Sequence, residues 1–351
     1  MRMISRPSAY ASALLLAGTA ALAAPAALAA AAVQPPPNVP CSSSALVAAI
    51  QHANSAGSAT LLLSPGCSYV LTTAVSADDG LPTVTGNLTI AGSQGTTISR
   101  SSATLFRIFH VAAGGSLTLS DVTLANGNTN NFGGAILDLG TLTLRNVTVT
   151  GSTAAFGGGL FTGTNARATA SFSAFTGNTA IDTGGAISAG GAALALWHVK
   201  LAGNTAGSAG GALFTGPGQN TVSFSSLTGN TSQGFGGGAI NNAGQLAIDH
   251  STLTGNTARG TEGGGLRTAV GGTSRVSRTV VARNSAGTLG GGIANHGTTV
   301  LIGDRVVLNR ATDGGGISNA PNGSVSLRFT LVAFNSPDNC TPQGTIQGCR
   351  H

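Results

Sequence analysis

The feature that most constrains this chain is a short phrase, G-N-T, which recurs at a nearly constant distance along the sequence. Its asparagines, and those that continue the series, are Asn178, Asn204, Asn230, Asn256, Asn284, Asn309 and Asn335. Successive members lie about 26 residues apart, a period within the range of solenoid repeats. A period held this long indicates a stack of similar units, each contacting only its neighbours.

Within each unit the apolar residues are spaced as in β-strands. In "GTLTLRNVTVTG" (140–151), Leu and Val alternate with Thr and Arg at steps of two and three residues. The chain contains 54 glycines, and each glycine inside a helix costs on the order of 1 kcal/mol relative to alanine. We therefore expect two or three short strands per unit and no long amphipathic helix.

A unit of about 26 residues cannot bury its apolar face alone, but stacked units can pair through parallel ladders spaced by about 4.8 Å. The glycine pairs suit sharp corners and close chain approach, and the repeated asparagines suit a ladder of stacked side chains. Leucine-rich repeats and calcium-binding glycine-rich nonapeptides are excluded because their motifs are missing. The expected fold class is all-β, a single-stranded parallel β-helix of about ten coils.

The stretch "LPTVTGNLTIAGSQGTTISR…FRIFHVAAGGSLTLSDVTLANG" (81–127) and the recurrent G-G-[AGI]-[IL] and G-N-T-A motifs support this expectation. They resemble right-handed parallel β-helix proteins of the pectin-lyase-like superfamily. The G-G-A-[IL] and F-x-G-N motifs also resemble the repeats of bacterial polymorphic outer-membrane proteins. The C-terminal "FNSPDNCTPQGTIQGC" resembles the end of choice-of-anchor Q proteins. The resemblance covers about residues 41–349 and implies a right-handed helix, but that superfamily includes lyases, hydrolases and adhesins, so it selects no activity.

Both ends of the chain differ from the repeats. Arg2 and Arg6, the apolar run "ALLLAGTAALAAPAALAA" and an Ala-Leu-Ala site at 27–29 form a typical secretory signal peptide. "SSSALVAAIQHANSAG" (42–57) predicts one capping helix, with Ser43 or Ser44 as its N-cap residue. The expected organisation is a signal peptide (1–32), a Pro-rich linker (33–40), an N-terminal cap (41–77), the β-helix (78–339) and a C-terminal disulfide cap (340–351).

The four cysteines fit an exported protein, in which an even number of cysteines usually forms disulfides. They are Cys41, Cys67, Cys340 and Cys349. Three pairings are possible, and pairing between neighbours is the simplest because the whole repeat region separates the two pairs. No C-x-x-C motif supports a metal ribbon or a redox site.

A first candidate site is "IDH" (248–250), which is similar to a strand motif of pectate lyases. The resemblance implies that Asp249, beside His250, is a calcium ligand or a base. The alternative is an outward aspartate and a histidine stacked in a column of corner residues. No acidic cluster surrounds Asp249 in the sequence, and the lyase arginine motif is missing.

A second candidate is a strip formed by Trp197 and Lys200 with Arg145 and Asp249, which share the Trp197 column two coils away on either side. Facing outward, these side chains would form a strip about 20 Å long suited to polysaccharide contact. The alternative is a solvated sheet face on which Trp197 covers an apolar gap.

A third candidate is the pair Glu262 and Asp313, which occupy one column two coils apart, hence roughly 9–10 Å by strand spacing. Inverting glycosidases separate their carboxylates by roughly 6.5–9.5 Å. The alternative is that each acid forms a local ion pair with the arginine three residues earlier, Arg259 or Arg310.

No motif for a metal, a nucleotide or another cofactor is present, so we expect none. The formal charge of +6 is spread without Lys or Arg runs, which argues against nucleic acid as a partner. No later apolar stretch predicts a membrane span in the mature chain. The expected function is a secreted, non-catalytic extracellular rod for adhesion or contact with extracellular polysaccharide or cell-surface glycan. The alternative is a polysaccharide lyase or glycoside hydrolase.

Overall fold

The structure is a computed structural model that describes residues 38–350. The predicted signal peptide and residues 33–37 of the predicted linker lie outside the described residues. Within residues 38–350, the chain winds into a parallel β-solenoid, which confirms the predicted fold class.

The solenoid consists of four sheets, here called A to D, in which each strand pairs in parallel with the equivalent strand of the next coil. In sheet A, for example, Leu142 pairs with Ala168 and Ala168 with Leu194. Residues that lie one sequence period apart are therefore register partners in the ladders.

Sheet A is the longest ladder. Its twelve strands are Asn38–Val39, Ser58–Leu63, Asn87–Ala91, Ser116–Ser120, Thr141–Arg145, Arg167–Ser171, Ala193–Trp197, Gln219–Ser223, Gln245–Asp249, Thr273–Ser277, Thr298–Ile302 and Ser324–Arg328. The solenoid has about twelve turns rather than ten, because Asn38–Val39 and Ser58–Leu63 already belong to this ladder.

Sheet B follows sheet A in each coil. Its eleven strands are Ser68–Leu71, Thr97–Arg100, Thr123–Ala125, Thr148–Thr150, Ala174–Thr176, Lys200–Ala202, Ser226–Thr228, Thr252–Thr254, Val280–Ala282, Arg305–Val307 and Leu331–Ala333.

Two further sheets complete the coils. Sheet C has six strands, which are Thr153–Ala154, Thr179–Ala180, Thr205–Ala206, Thr231–Ser232, Thr257–Ala258 and Ser285–Ala286. Sheet D has ten strands, which are Phe109–Val111, Ile136–Asp138, Leu160–Thr162, Ile187–Ala189, Leu213–Thr215, Ile240–Asn242, Leu266–Thr268, Ile293–Asn295, Ile317–Asn319 and Cys340–Thr341.

The glycine pairs lie between sheets C and D, where adjacent coils come closest together. Gly184 has φ +68°, and a Cβ added to Gly185 would overlap the carbonyl oxygen of Gly211 in the next coil. A larger residue at Gly185 would push neighbouring coils apart, so the pair recurs once per coil.

The N-terminal opening of the solenoid is covered by a helix, α1 (Ser43–Ala56). Leu46 and Ile50 are fully buried against the first coils. The N-cap is Ser42 rather than the predicted Ser43 or Ser44, and its side chain accepts the Ala45 N–H at 3.2 Å. Disulfides join Cys41 to Cys67 beside this helix and Cys340 to Cys349 at the other end, as in neighbour pairing.

The core contains a polar ladder as well as aliphatic side chains. Asn178 Oδ1 accepts the Ser152 N–H at 3.0 Å, and Asn178 in turn donates its backbone N–H to Asn204 Oδ1 at 2.9 Å. Each Nδ2 also donates to a carbonyl of the preceding coil, as Asn204 does to Phe175 at 3.0 Å. We call this set the asparagine ladder, and its members are Asn178, Asn204, Asn230, Asn256, Asn284, Asn309 and Asn335.

The two disulfides indicate an oxidising environment. Within the described part of the chain, no helix has the length and apolar character needed to cross a membrane.

Candidate functional site

One residue per coil forms the corner between sheets A and B, and these residues have a left-handed backbone. We call them the corner column, which consists of Asp121, Asn146, Phe172, His198, Phe224, His250, Arg278, Gly303 and Phe329. Their φ angles lie between 46° and 70°. Backbone hydrogen bonds keep the column in register, as from Phe172 N–H to the Trp197 carbonyl at 3.1 Å.

Large side chains are unusual at such corners. A left-handed backbone costs an L-residue roughly 1–2 kcal/mol, and Gly, Asn and Asp tolerate it best. Asn146 and Gly303 show that the corner accepts these residues, yet Phe172 and Phe224 occupy it with 58% and 45% of their surface exposed. Local strain combined with apolar exposure points to a role outside folding.

The residue after each of several corners faces the core and forms hydrogen bonds that stabilise the backbone there. Ser225 Oγ accepts the Val199 N–H at 3.0 Å, and Ser251 Oγ accepts the Ser225 N–H at 3.1 Å. Thr279 continues this pattern by accepting the Ser251 N–H at 3.2 Å. Because the backbone around the corner is bonded to the next coil on the inside, the corner side chain is free to project outward.

Four corner residues form a continuous stack of rings. Centroid distances are 5.2 Å from Phe172 to His198, 5.3 Å from His198 to Phe224 and 4.8 Å from Phe224 to His250, with interplanar angles of 6°, 19° and 6°. Trp197 lies beside them, nearly perpendicular to Phe172 and His198 at 4.6 and 4.3 Å, and is 44% exposed. We call these five residues the aromatic stack, a ridge roughly 15 Å long.

A polar cluster lies at one end of the aromatic stack. Asp249 Oδ2 is 2.6 Å from His250 Nδ1, and Asp249 Oδ1 accepts hydrogen bonds from Ser277 at 2.6 Å and from Arg278 at 2.8 Å. Desolvation alone would raise the pKa of Asp249, but the bonds from Ser277, His250 and Arg278 outweigh it and lower that pKa to about 2. The carboxylate is therefore ionised at neutral pH while it is hydrogen-bonded to His250.

The other residues of the predicted strip lie around the stack. Arg145, Trp197 and Asp249 end strands of sheet A and share one column, with a serine between successive members. Lys200 is exposed at the start of the next sheet B strand, between Ala174 and Ser226 in register. The strip thus combines one indole, two cations and one carboxylate on one side of the solenoid.

Glu262 is in a different environment from the predicted one. Its Oε1 accepts from Arg267 Nε at 2.7 Å and lies 2.7 Å from His296 Nε2, and its side chain is 12% exposed. Within residues 38–350 it forms no ion pair with Arg259, which corrects that interpretation. Arg267 belongs to the sheet D strand of the same coil, and His296 directly follows the next strand of sheet D. The repeat period did not predict either contact.

Asp313 lies two coils beyond Glu262, with Leu289 between them in the backbone ladder. Its side chain is exposed and accepts a hydrogen bond from Thr341 Oγ1 at 3.2 Å. Among the described residues it has no ion pair with Arg310, which again corrects the predicted local pair. Glu262 is already bound to two basic groups, so the two acids do not face each other as equivalent free carboxylates.

The structure also contains a buried cluster that sequence reasoning missed. Arg107, 4% exposed, forms an ion pair with Asp79, and His110 Nδ1 lies 3.3 Å from the other Asp79 oxygen. Burial opposes ionisation of Asp79, but the hydrogen bond from His110 and the charge of Arg107 outweigh it and lower the pKa of Asp79. These residues precede the regular repeats, so no column pointed to their contact.

The exposed side chains of the aromatic stack and its surroundings are aromatic or charged. Within the described range, no group of three or more His, Cys, Asp or Glu side chains is placed to hold a metal ion. The aromatic stack instead offers an apolar ridge flanked by fixed charges.

No protein-family model matches the chain, and no curated protein sequence matches it. Among solved structures, it is similar to the A-module of the mannuronan C-5 epimerase AlgE6 from Azotobacter vinelandii. The two are 16% identical, and the alignment covers 83% of this chain and 95% of that module with a TM-score of 0.41.

Proposed function

We propose that the chain is an exported, non-catalytic β-solenoid rod that binds an extracellular polysaccharide along the aromatic stack. The observation that carries this proposal is the set of large, exposed rings at strained corner positions, with Trp197 set across them. A fold under selection for stability alone would place Asn or Gly at these corners.

The form of the ridge favours a linear polymer as the ligand. The same contact is repeated once per coil, so successive units of a chain molecule meet successive rings. Aromatic side chains supply apolar area for sugar C–H groups, and Lys200, Arg145 and Asp249 supply charged hydrogen-bond partners beside them. The two cations favour a polymer that carries some negative charge.

Export and family membership are part of the same proposal. The basic and apolar N-terminal segment with its Ala-Leu-Ala site and the two disulfides support secretion. The repeat motifs support membership of the pectin-lyase-like superfamily with a right-handed coil. N-terminal sequencing of the protein recovered from culture medium tests the export step, and an intact Met1 on that protein would contradict it.

The binding experiment uses the mature protein in affinity electrophoresis through gels containing neutral or uronate-rich polysaccharides. We expect Trp197→Ala and Phe224→Asn to weaken retention at least tenfold, about 1.4 kcal/mol, because each removes a ring from the ridge. Phe329→Asn is the matched control, since it makes the same change at the same corner outside the stack. Equal retention of all four proteins would show that the ridge is not the binding site.

Catalysis at the same strip is the second candidate, and the contact between Asp249 and His250 favours it. An imidazole oriented by an ionised carboxylate, with Arg278 beside it, has the parts needed for proton abstraction next to a carboxylated sugar. His250→Gln would then abolish release of unsaturated or reducing ends from a polysaccharide, whereas a binding rod releases none.

A further inference from the structure

The last two coils expose several large apolar side chains. Phe329 is 97% exposed, Phe334 is 77% exposed, and Leu331 and Leu308 are 47% and 48% exposed. We call these four residues the C-terminal apolar cluster. Exposed apolar side chains grouped in this way mark an interaction surface more often than chance scatter.

Three members of the cluster also occupy strained backbone positions. Phe329 belongs to the corner column with φ 51°, and Leu308 and Phe334 both have φ 59° at a second corner, which follows sheet B. In five earlier coils this second corner is a glycine, at Gly151, Gly177, Gly203, Gly229 and Gly255. Among the described coils, the change from glycine to large apolar residues therefore occurs only towards the C-terminal end. These residues adopt a left-handed backbone, which costs conformational free energy.

The four side chains lie on adjacent coils around the outer face of sheet B. Leu331 pairs in register with Arg305, while Val332, the next residue of its strand, faces the core at 8% exposure. Within residues 38–350, no strand pairs beyond Ser324–Arg328 in sheet A or beyond Leu331–Ala333 in sheet B. Val325 and Leu327, whose equivalents in most earlier coils are buried, are only partly buried there.

The same face is cationic. Arg283, Arg305 and Arg328 are exposed, and in the described part of the chain none of them forms an ion pair or a side-chain hydrogen bond. The acid beneath them, Asp304, is 1% exposed and accepts the backbone N–H groups of Thr279 and Ile302 at 2.7 Å. The arginines are therefore available to bind an external anion beside the C-terminal apolar cluster.

We propose that this face of the last coils docks on an anionic lipid surface. Phe329, Leu331 and Phe334 enter the boundary between headgroups and acyl chains, and the three arginines bind the lipid phosphates. Peripheral binding to a membrane requires two such signals, apolar insertion and basic charge, and both are present on one face. A second copy of this chain is a poorer occupant, because docking like faces would bring unpaired arginines together.

This inference is independent of the proposed function. The corner residue Phe224 lies four coils from Phe329, roughly 19 Å along the rod. A rod held by its C-terminal coils would leave the aromatic stack free to contact a polymer. Either activity can therefore fail in experiment without affecting the other.

The test is co-sedimentation of the mature protein with vesicles of phosphatidylcholine alone or mixed with phosphatidylglycerol. We expect binding only to the mixed vesicles, weakened by salt. The double variants Phe329→Asn/Phe334→Asn and Arg305→Gln/Arg328→Gln should each weaken binding roughly tenfold or more. Asn is chosen because it tolerates the left-handed corner, and Phe224→Asn is the control that should bind like the unaltered protein.

A second measurement reports insertion directly. Trp197 is the only tryptophan, so Trp197→Phe combined with Phe329→Trp places a single fluorophore in the cluster. We expect its emission to shift to the blue with mixed vesicles and to stay unchanged with phosphatidylcholine. No binding to either vesicle, or binding unaffected by the variants, would overturn the proposal. Dimers in light scattering that Phe329→Asn/Phe334→Asn dissociates would overturn it in favour of self-association.

Discussion

The asparagine ladder and the corner column both place one side chain in every coil, yet they obey opposite constraints. From Asn178 to Asn309 the ladder residues are at most 1% exposed, and all seven members are the same amino acid. The corner column carries Asp, Asn, Phe, His, Arg and Gly in turn, and its side chains project outward. The same repeat thus contains one position at which the fold requires a particular amino acid and one at which it tolerates many.

The physical difference is how many buried groups depend on each side chain. An asparagine of the ladder accepts two N–H groups of the previous coil and donates to a carbonyl and to the next asparagine, all in the core. The asparagine side chain supplies both an acceptor oxygen and an amide donor close to the backbone, as these bonds require. A corner side chain satisfies no buried group, so its identity is free to serve a partner.

The largest expected effect follows from breaking the ladder at its centre. Asn230→Ala leaves the backbone N–H of Asn204 and the Leu201 carbonyl without their present side-chain partner, and it removes one of the hydrogen bonds made by Asn204 Nδ2 and by Asn256 Oδ1. Each buried group left unsatisfied costs about 1–3 kcal/mol, so we expect a loss of about 4 kcal/mol in the free energy of unfolding. The urea midpoint measures it. If Asn146→Ala, at an exposed corner, destabilises the protein as much, the distinction between the asparagine ladder and the corner column is wrong.

A smaller effect is expected at Asp138, a buried polar side chain outside the asparagine ladder. It is fully buried in sheet D, its Oδ1 accepts the Gly140 N–H at 3.0 Å, and its Oδ2 has no partner. Burial outweighs the Gly140 bond and raises the pKa of Asp138 to about 7.

Because this pKa is raised above that of the unfolded chain, the contribution of Asp138 to stability is complete below about pH 4. It is then lost as pH rises through about 7. We expect a loss of roughly 2–4 kcal/mol across this window, seen as a falling melting temperature. Asp138→Asn removes the ionisation, so it should flatten this dependence and be the more stable protein at pH 8. An unchanged pH profile in the variant would assign the dependence to other groups.

The smallest effect on stability is expected at the corner itself. Phe224→Asn loses two stacking contacts but relieves a strained backbone, and these terms are of similar size, about 1 kcal/mol each. The urea midpoint should therefore change little, while polysaccharide retention falls. A large destabilisation with normal retention would reverse the assignment and make the aromatic stack a structural element.

Much of the fold and part of the site could be predicted because a solenoid converts sequence spacing into spatial neighbourhood. Asn178 and Asn204, one period apart in the sequence, contact each other because one coil has that length. The column of Phe172, His198, Phe224 and His250 could be listed in the same way. The period did not extend to Ser58–Leu63, where no G-N phrase marks the coil, and the number of turns was therefore underestimated.

Contacts between different columns could not be read from the sequence. The period places Glu262 and Asp313 in one column, but it does not say which way a long side chain turns. Arg267 and His296 reach Glu262 from sheet D, and no spacing rule relates the two columns. The buried group of Asp79, Arg107 and His110 lies before the regular repeats, where the period offers no guide.

The sequence by itself determined the repeat, the strand ladders, the buried asparagines and the residues that interrupt them, because each follows from a period and from the needs of buried backbone groups. Only the tertiary structure decided that the Phe and His residues of the corner column have a left-handed backbone, which rings stack, and which arginines of the last three coils stay unpaired among the described residues. Those outcomes depend on how far each side chain reaches around the coil, and the distance along the chain does not encode that reach.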